Sequence, residues 1–172
     1  MTIALFYDSE TTGLPLFKEP SEHPGQPHIV QLAACLVDLD TRKTLASMDV
    51  IIKPDGWTIP DEVAKIHDLA LEMFLGLWAG RLRIAHNEQF DARIIRIAQH
   101  RFTTVCDDQQ RDDWKSGKTE CTQILSTPIL NLPPTAKMIA ARRNHHKSAN
   151  LGEAYKFFTG KELVDAHSAM AD

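Results

Sequence analysis

The chain has 172 residues, of which 43% are hydrophobic and 24% charged, and these are ordinary values for a folded globular protein. A chain of this length buries roughly 70% of its unfolded surface without needing disulfides, so a mainly disordered protein is excluded. Its 19 lysines and arginines against 23 aspartates and glutamates give a formal net charge of −4. That balance argues against binding nucleic acid through a general coat of positive charge, although nucleic acid held at one site remains compatible with it.

Cysteine usage and the first residues indicate the cellular compartment. Cys35, Cys106 and Cys121 show neither CxxC spacing nor pairing with histidines at zinc-finger distances. An odd number of cysteines without a framework is typical of reduced thiols inside a cell. The opening sequence lacks the basic start of a signal peptide, and no apolar run is long enough to cross a bilayer. We therefore expect a soluble, cytoplasmic protein with no membrane partner.

The first third of the chain predicts strands joined by a loop and a turn. The apolar run Ile3–Tyr7 meets acidic residues at its end, as a buried strand that reaches a polar site does. Prolines make Leu16–Pro27 a loop. The runs Ile29–Val37 and Leu45–Ile52 are rich in β-branched residues and are divided by a polar turn, so they predict a hairpin beside the first strand.

The middle of the chain predicts two helices separated by a strand. Proline and two acidic residues at 60–62 suit the first turn of a helix, because proline fits there and acids favour the positive end of the helix dipole. Its predicted apolar face consists of Val63, Ile66 and Leu69. Arg81–Ala85 predicts a strand, and Phe90–Ile97 has helical periodicity with an apolar side made of Ile94, Ile97 and Ala98.

The last third is harder to assign. Residues 103–118 are strongly polar and predict an exposed loop or insertion, in which Trp114 has no evident role. Cys121–Leu125 predicts a strand, and helical stretches follow near Ala136–Arg142, Asn150–Phe158 and Glu162–Asp172. Strands come first and helices then alternate with strands. The sequence therefore predicts one α/β domain, residues 1–172, with a mixed sheet.

The candidate chemistry begins with two acidic residues at the end of the first strand. Asp8 and Glu10 are two residues apart, so both side chains project from the same face of that strand. Neighbouring carboxylates repel each other unless a divalent cation lies between them, although a strand end exposed to water explains the pair equally well. Thr11, Thr12 and Gly13 follow, and such small residues allow a tight turn that leaves amides and hydroxyls to a ligand.

Two later segments add candidate groups. In the second, residues 83–91, a strand ends and Asp91 falls in the first turn of a helix, where serving the helix dipole is an alternative role for an acid. In the third, His167 and Asp172 are five residues apart on the last predicted helix. Their directions differ by about 140° over roughly 7.5 Å of rise. The two side chains can border one cleft, but the spacing does not require it.

Together, the three segments resemble the DEDDh family of 3′–5′ exonucleases, which includes the proofreading epsilon-subunit-like enzymes and the RNase T-like enzymes. The matching residues are, in chain order, Asp8, Glu10, Thr11, Gly13 and Leu14, then His86, Asn87, Phe90 and Asp91, and finally His167 and Asp172. Landmarks between the motifs match as well, at 27–34, 59–67 and 148–160, so the resemblance covers nearly the whole chain. Histidine at position 167 distinguishes this branch from relatives with tyrosine there.

The resemblance implies a fold, two cofactors and a set of site residues. The fold would be ribonuclease H-like α/β, with a central mixed five-stranded sheet flanked by helices. The cofactors would be two divalent cations, Mg²⁺ or Mn²⁺, held by hard oxygen ligands from Asp8, Glu10, Asp91 and Asp172. These four residues and His167, as the base that takes a proton from the attacking water, would be catalytic. The terminal nucleotide would contact Thr11, Thr12, Leu14, His67, His86, Asn87 and Phe90.

The implied activity is release of nucleoside 5′-monophosphates from the 3′ end of single-stranded DNA. A DNA polymerase or another replication protein would be the partner of a proofreading enzyme. The same chemistry on RNA, as in RNase T-like and oligoribonuclease-like enzymes, stays open because the discrimination lies in contacts around the terminal 2′ position. A module that binds a 3′ end or a replication partner without cleavage also stays open, although the complete set of motif residues counts against it.

The sequence departs from the family pattern in two places, and it contains one basic segment. The stretch near 73–81 is shorter than in the family, which indicates a compact variant or missing residues. A metal ligand at a frayed helix end is poorly held, so we expect the native chain to continue past Asp172. The basic segment Arg142–Lys147 could steer a phosphate backbone, but its place beside a helix end favours a solvated loop.

Overall fold

The structure, a computed structural model, describes residues 2–52, 61–102, 106–164 and 169, without the side chains of 61–67. Five strands form a mixed sheet in the order β3-β2-β1-β4-β5. The strands are β1 Ile3–Thr11, β2 Ile29–Asp38, β3 Lys43–Ile51, β4 Leu82–Ala85 and β5 Thr119–Cys121. The helices are α1 Asp61–Trp78, α2 Glu88–Arg101, α3 Asp108–Ser116, α4 Thr122–Leu130, α5 Ala136–Ala140 and α6 Leu151–Thr159.

The central strand β1 reaches further than its parallel neighbour. It is antiparallel to β2 over its length, and β2 is antiparallel to β3, which confirms the predicted hairpin. On its other side β1 pairs with β4 from Ala4 to Phe6, and β4 ends at Ala85 while β1 continues to Thr11. The last residues of β1 therefore lie at the carboxyl end of the parallel strands, the edge where α/β sheets bind ligands.

One face of the sheet carries a close-packed aromatic core. Tyr7 on β1 meets Phe74 and Trp114 at ring-centroid distances of 5.4 and 5.9 Å, and Trp78 meets Trp114 at 5.1 Å. Large aromatic side chains in tilted and edge-to-face contact supply much of the burial that stabilises a domain of this size. The predicted apolar side of α2 is confirmed and packs in the same core through Ile94, Ile97 and Ala98.

The prediction of an exposed loop over 103–118 is wrong for the residues that the structure describes. They contain α3, which begins with a reciprocal capping box between Asp107 and Gln110. Trp114 is fully buried and lies at the centre of the aromatic core. A helix that buries one residue has no apolar stripe, so hydrophobic periodicity does not detect it.

The prediction of a strand over Cys121–Leu125 is also wrong. Strand β5 pairs with β4 from Thr119 to Cys121, and α4 begins at the next residue, Thr122. Ile124 and Leu125 are 64% and 53% exposed rather than buried in the sheet. A short apolar run of this kind fits a strand and a helix equally well, and tertiary pairing decided between them.

One residue of the apolar face predicted for helix α1 is exposed. Leu69 is 56% exposed, so its assignment to the apolar face is wrong, while the side chains of Val63 and Ile66 lie outside the described residues. The buried positions are Ala70, Leu71, Phe74 and Trp78. The helix runs on to Trp78, and a turn through Ala79 and Gly80, both with positive φ, leads into β4. The stretch near 73–81 thus holds the end of one helix.

Three helices are predicted in the carboxyl-terminal part of the chain. Two of them are confirmed, as α5 and α6. Residues 162–164 are not helical, so a helix beginning at Glu162 is wrong, and 165–168 and 170–172 lie outside the described residues. Residues 142–146 are exposed, as expected of a solvated loop, and Lys147 forms an ion pair with Glu153 on α6. No helix in the described part of the chain has both the length and the apolar character of a membrane span.

Candidate active site

A tight turn places the first turn of α2 against the open edge of β1. Asn87, between β4 and α2, adopts φ 65° and ψ 47°, a left-handed conformation that asparagine tolerates better than most residues. Glu88 and Asp91 then fall in the first turn of the helix, where acids also favour the helix dipole. This arrangement brings Asp91 to the part of β1 that extends beyond β4.

The carboxylate of Asp91 is bound by Ser9 of β1. The Ser9 amide donates to Asp91 Oδ1 at 3.1 Å, and the Ser9 hydroxyl donates to the same oxygen at 2.7 Å. Both residues are buried, with exposures of 6% and 2%. The amide belongs to the segment of β1 that has no β4 residue beside it, so Asp91 supplies the hydrogen bond that a longer β4 would have made.

Asp8 and Asp91 form a pair of like charges at this edge. Burial, followed by the charge of Asp8, raises the pKa of Asp91 from 3.8 to about 8, against the opposing effect of the Ser9 hydrogen bonds. A carboxyl with so high a pKa is largely protonated at neutral pH unless a positive charge joins it. The electrostatics of the pair therefore favour a bound cation.

A buried ion pair fixes α2 to the sheet beneath the site. Arg83 Nε donates to Glu88 Oε1 at 2.7 Å, and the hydroxyl of Tyr7 donates to the same oxygen at 3.0 Å. The Arg83 guanidinium also stacks 3.9 Å from the ring centroid of Trp114 and donates to its carbonyl. Burial and the charge of Glu88 hold the pKa of Tyr7 well above its usual value, so the phenol remains a donor.

His86, a predicted nucleotide contact, has both ring nitrogens engaged by the protein. Nδ1 lies 3.0 Å from the Thr122 hydroxyl, and Nε2 lies 3.0 Å from the Ala149 carbonyl. A carbonyl can only accept, so Nε2 carries the proton and donates to it. His86 therefore joins the end of β4 to α4 and to the segment before α6.

The residues that follow β1 form the rim of the site. Thr11 Oγ1 donates to the Gly13 carbonyl at 2.8 Å, and Thr12 Oγ1 accepts the His28 amide at 3.0 Å, so both hydroxyls organise the turn. Leu14 is 78% exposed. Of the other predicted nucleotide contacts, Asn87 is exposed and Phe90 half-buried against the core. Thr11, Thr12 and Leu14 thus follow one another at the end of β1, and Asn87 and Phe90 lie at the start of α2.

A cavity of about 490 Å³ lies on the other face of the sheet and reaches Asp8. Its lining includes Phe6, Asp8, His86, Leu125, Tyr155 and Phe158. The cavity is mostly apolar and lies between the sheet, α4 and α6. Asp8 is the acidic residue among its lining groups, so one member of the carboxylate pair borders this space.

Several predicted site residues are not brought together by the described part of the chain. Glu10 is half-buried and pairs with Gln31 in the sheet. Among the described residues, no three histidine, cysteine, aspartate or glutamate side chains lie close enough to hold a metal ion together. His167, Asp172 and the side chain of His67 lie outside the described residues. Among the described residues, Asp8 and Asp91 are the predicted ligands whose charges interact.

These two carboxylates fit a hard divalent cation by their chemistry. They offer oxygen ligands, which Mg²⁺ and Mn²⁺ prefer, and their mutual repulsion is relieved by positive charge. Two carboxylates are also within the number by which proteins commonly bind Mg²⁺, since that ion retains several waters.

Sequence reasoning missed the residues that hold Asp91 in place. Ser9 lies between the two acids of the first motif, on the opposite face of β1, and Glu88 precedes Asp91 by one helical turn. The available signal was the alternation of β1, which places a hydroxyl where a core residue is expected. Tyr7 and Arg83 gave no comparable signal, because their roles depend on contacts between distant segments.

Comparison with known proteins identifies the fold. No protein-family model matches the sequence, and neither does any curated protein. The crystal structure of E. coli exonuclease I in complex with a dT13 oligonucleotide superposes with a TM-score of 0.67 at 17% identity, covering 100% of this chain and 39% of that chain. The chain has the ribonuclease H-like fold of exonuclease I. The predicted mixed five-stranded sheet flanked by helices is therefore confirmed.

Two further structures of exonuclease I agree with this result. The zinc-bound E. coli exonuclease I complex with single-stranded DNA matches with a TM-score of 0.65 at 16% identity, covering 100% of this chain and 38% of that one. The complex of exonuclease I with SSB-Ct matches with a TM-score of 0.63 at 16% identity, covering 99% and 39%. The chain thus spans about two-fifths of the length of the exonuclease I structures it matches.

Proposed function

We propose that this chain is the catalytic domain of a divalent-metal-dependent 3′–5′ exonuclease that releases nucleoside 5′-monophosphates from single-stranded DNA. The observation that carries the proposal is the pair of carboxylates, Asp8 and Asp91, at the carboxyl end of the central strand. The fold supports it, since the matching structures are exonuclease I and two of those cited above contain single-stranded DNA. The three motifs of the sequence supply the remaining residues.

The proposed roles of the individual residues follow the three sequence motifs. Asp8, Glu10, Asp91 and Asp172 would hold the cations, which when bound activate water and stabilise the leaving 3′-oxygen. His167 would accept the proton of the attacking water. The terminal nucleotide would lie along the rim, against Thr11, Thr12, Leu14, His67, Asn87 and Phe90. Because its ring nitrogens are engaged, His86 would shape the site instead of binding the nucleotide through them.

The test is the length of a 5′-labelled single-stranded DNA oligonucleotide over time, with Mg²⁺, with Mn²⁺ and with EDTA. We expect a ladder that starts at the free 3′ end and disappears in EDTA. Asp8→Ala and Asp91→Asn should each lower the rate by at least about 100-fold, because a charge that serves the reacting state is lost. The matched control is Asp112→Asn on the exposed face of α3, which should cleave at the original rate.

The same assay distinguishes the proposed DNA exonuclease from an exoribonuclease and from a module that binds a 3′ end without cleaving it. A matching RNA oligonucleotide measures the preference for the terminal 2′ position, and a 3′-phosphate-blocked DNA tests the requirement for a free 3′ end. Retention of the oligonucleotide in EDTA, with no shortening under any metal, would contradict the proposal in favour of a binding module. A replication partner stays a prediction, and a peptide corresponding to SSB-Ct is the first to test, because exonuclease I is seen with it.

A further inference from the structure

Ser9 stands out among the residues near the carboxylate pair because both of its donors bind one oxygen. Its amide and its hydroxyl reach Asp91 Oδ1 at 3.1 and 2.7 Å. The Ser9 backbone is fixed, since it pairs with Leu32 in the β1–β2 ladder, before the register shift between Glu10 and Thr11. Asp91 is equally constrained by its place in the first turn of α2. The contact thus joins two rigid elements.

This contact decides which oxygen of Asp91 is open to a cation. A carboxylate oxygen has two lone-pair positions, and the two Ser9 donors occupy both of them on Oδ1. A cation beside Asp91 would therefore contact Oδ2. Binding through both oxygens at once would require breaking at least one buried hydrogen bond, which is unfavourable because the donor is left without a partner.

Divalent cations differ in how they use a carboxylate. Ca²⁺ takes six to eight oxygen ligands and commonly binds a carboxylate through both oxygens, whereas Mg²⁺ keeps strict octahedral geometry, retains waters and uses few carboxylates. A carboxylate limited to one oxygen suits the smaller ion. Because Asp91 is limited to one oxygen, Ca²⁺ would have one oxygen ligand fewer at this site than if Asp91 bound through both oxygens.

We infer that Ser9 is a specificity-determining positioning residue, which makes Asp91 a one-oxygen ligand and thereby favours Mg²⁺ over Ca²⁺. The inference rests on the proposed function, since it requires a cation beside Asp91. Ser9 acts through Asp91 and touches neither the cation nor the substrate. Ser9 is the residue between the two acids of the first motif, and this positioning is its proposed role.

The test is calorimetric titration of Mg²⁺ and, separately, of Ca²⁺ into the metal-free full chain, with no substrate present. Ser9→Ala removes the hydroxyl and frees one lone pair of Oδ1. We expect the ratio of the two affinities to move toward Ca²⁺ by about tenfold, the scale on which residues that orient metal ligands act. Ser9→Thr keeps the hydroxyl and should restore the original ratio.

Two controls separate a folding defect and a failed premise from a failed inference. Ser21→Ala removes another buried serine, 8% exposed and far along the chain from the carboxylates, and should leave the ratio unchanged. Thermal unfolding checks that every variant is folded. An unchanged ratio in folded Ser9→Ala would overturn the inference alone. Absence of Mg²⁺ binding by the unaltered chain, or unaltered binding by Asp91→Asn, would overturn the proposed metal site and the inference with it.

Discussion

The two faces of the central sheet differ in how tightly they are packed. On one face, Tyr7 and Ser9 of β1 meet a core in which Trp114 is fully buried and the Arg83–Glu88 ion pair is buried as well. On the other face, Asp8 borders a cavity of about 490 Å³ beneath α4 and α6. The exposed apolar side chains of those two helices are Ile124, Leu125, Ile129, Tyr155, Phe157 and Phe158.

This difference shows how one strand can serve two purposes. Alternate residues of β1 point to opposite faces, so Ser9 is anchored in the packed layer while Asp8 reaches the open one. A site that binds charged groups needs fixed ligands and also room for a substrate. The packed face holds Asp91, and the open face leaves a cavity beside Asp8. In the proposed function, these two features are the fixed ligand and the room for the substrate.

The largest effect that separates the faces should come from removing the central tryptophan. Trp114→Ala empties the middle of the aromatic core, and we expect the free energy of unfolding to fall by about 3–5 kcal/mol. Phe158→Ala, at a side chain that is 59% exposed, should change it by about 0.5 kcal/mol. Urea unfolding followed by circular dichroism measures both. Should Trp114→Ala fail to fold, Trp114→Leu offers a milder truncation. Equal decreases in the free energy of unfolding for the tryptophan variant and for Phe158→Ala would contradict the difference in packing between the two faces.

A second, smaller effect concerns pH and tests the carboxylate pair itself. The pKa of Asp91 is raised from 3.8 to about 8, so between these values the folded state keeps a proton that the unfolded state has released. The stability conferred by that proton is therefore fully present below pH 3.8 and is lost as the pH rises toward 8. At about 1.4 kcal/mol per pH unit, metal-free protein should lose about 3 kcal/mol between pH 5 and pH 7 through this group.

The pH effect has its own control. Asp91→Asn removes the titrating group and should flatten the decrease, while other ionisable groups still contribute in both proteins. Saturating Mg²⁺ should reduce the decrease as well, since a cation stabilises the ionised pair. The measurement is urea unfolding at several pH values in EDTA and in Mg²⁺. A decrease of the same size in the variant would show that Asp91 is not its source.

Much of the fold was predictable because its signals are local or periodic. The hairpin β2–β3 followed from two apolar runs divided by a polar turn, and α2 followed from an apolar side with Ile94 and Ile97. Motif matching along the chain named both Asp8 and Asp91, and their role as metal ligands stays a prediction. Helix α3 was missed because its identity depends on a capping box and on one tryptophan whose partners lie in distant segments.

The finer parts of the site were not predictable for a related reason. Ser9 is one small residue between two acids, and nothing local shows that its hydroxyl meets a helix 82 positions away. The roles of Glu88 and Arg83 likewise depend on contacts that only the folded chain creates. The strand predicted at Cys121–Leu125 was wrong because a short apolar run leaves the choice between helix and strand to tertiary pairing.

The smallest expected effect concerns the cap that begins α3 and therefore the position of Trp114. The Asp107 side chain accepts the Gln110 amide at 2.8 Å, and the Gln110 side chain accepts the Asp107 amide at 2.9 Å. Asp107→Ala should lower the free energy of unfolding by about 1 kcal/mol, and Asp107→Asn, which keeps an accepting oxygen, by a few tenths. The matched control is Asp112→Ala in the body of the same helix, which has no cap to lose. If Asp107→Ala cost no more than Asp112→Ala, the polar cap would not be what sets the helix, and Trp114 would have to hold α3 against the sheet by its own packing.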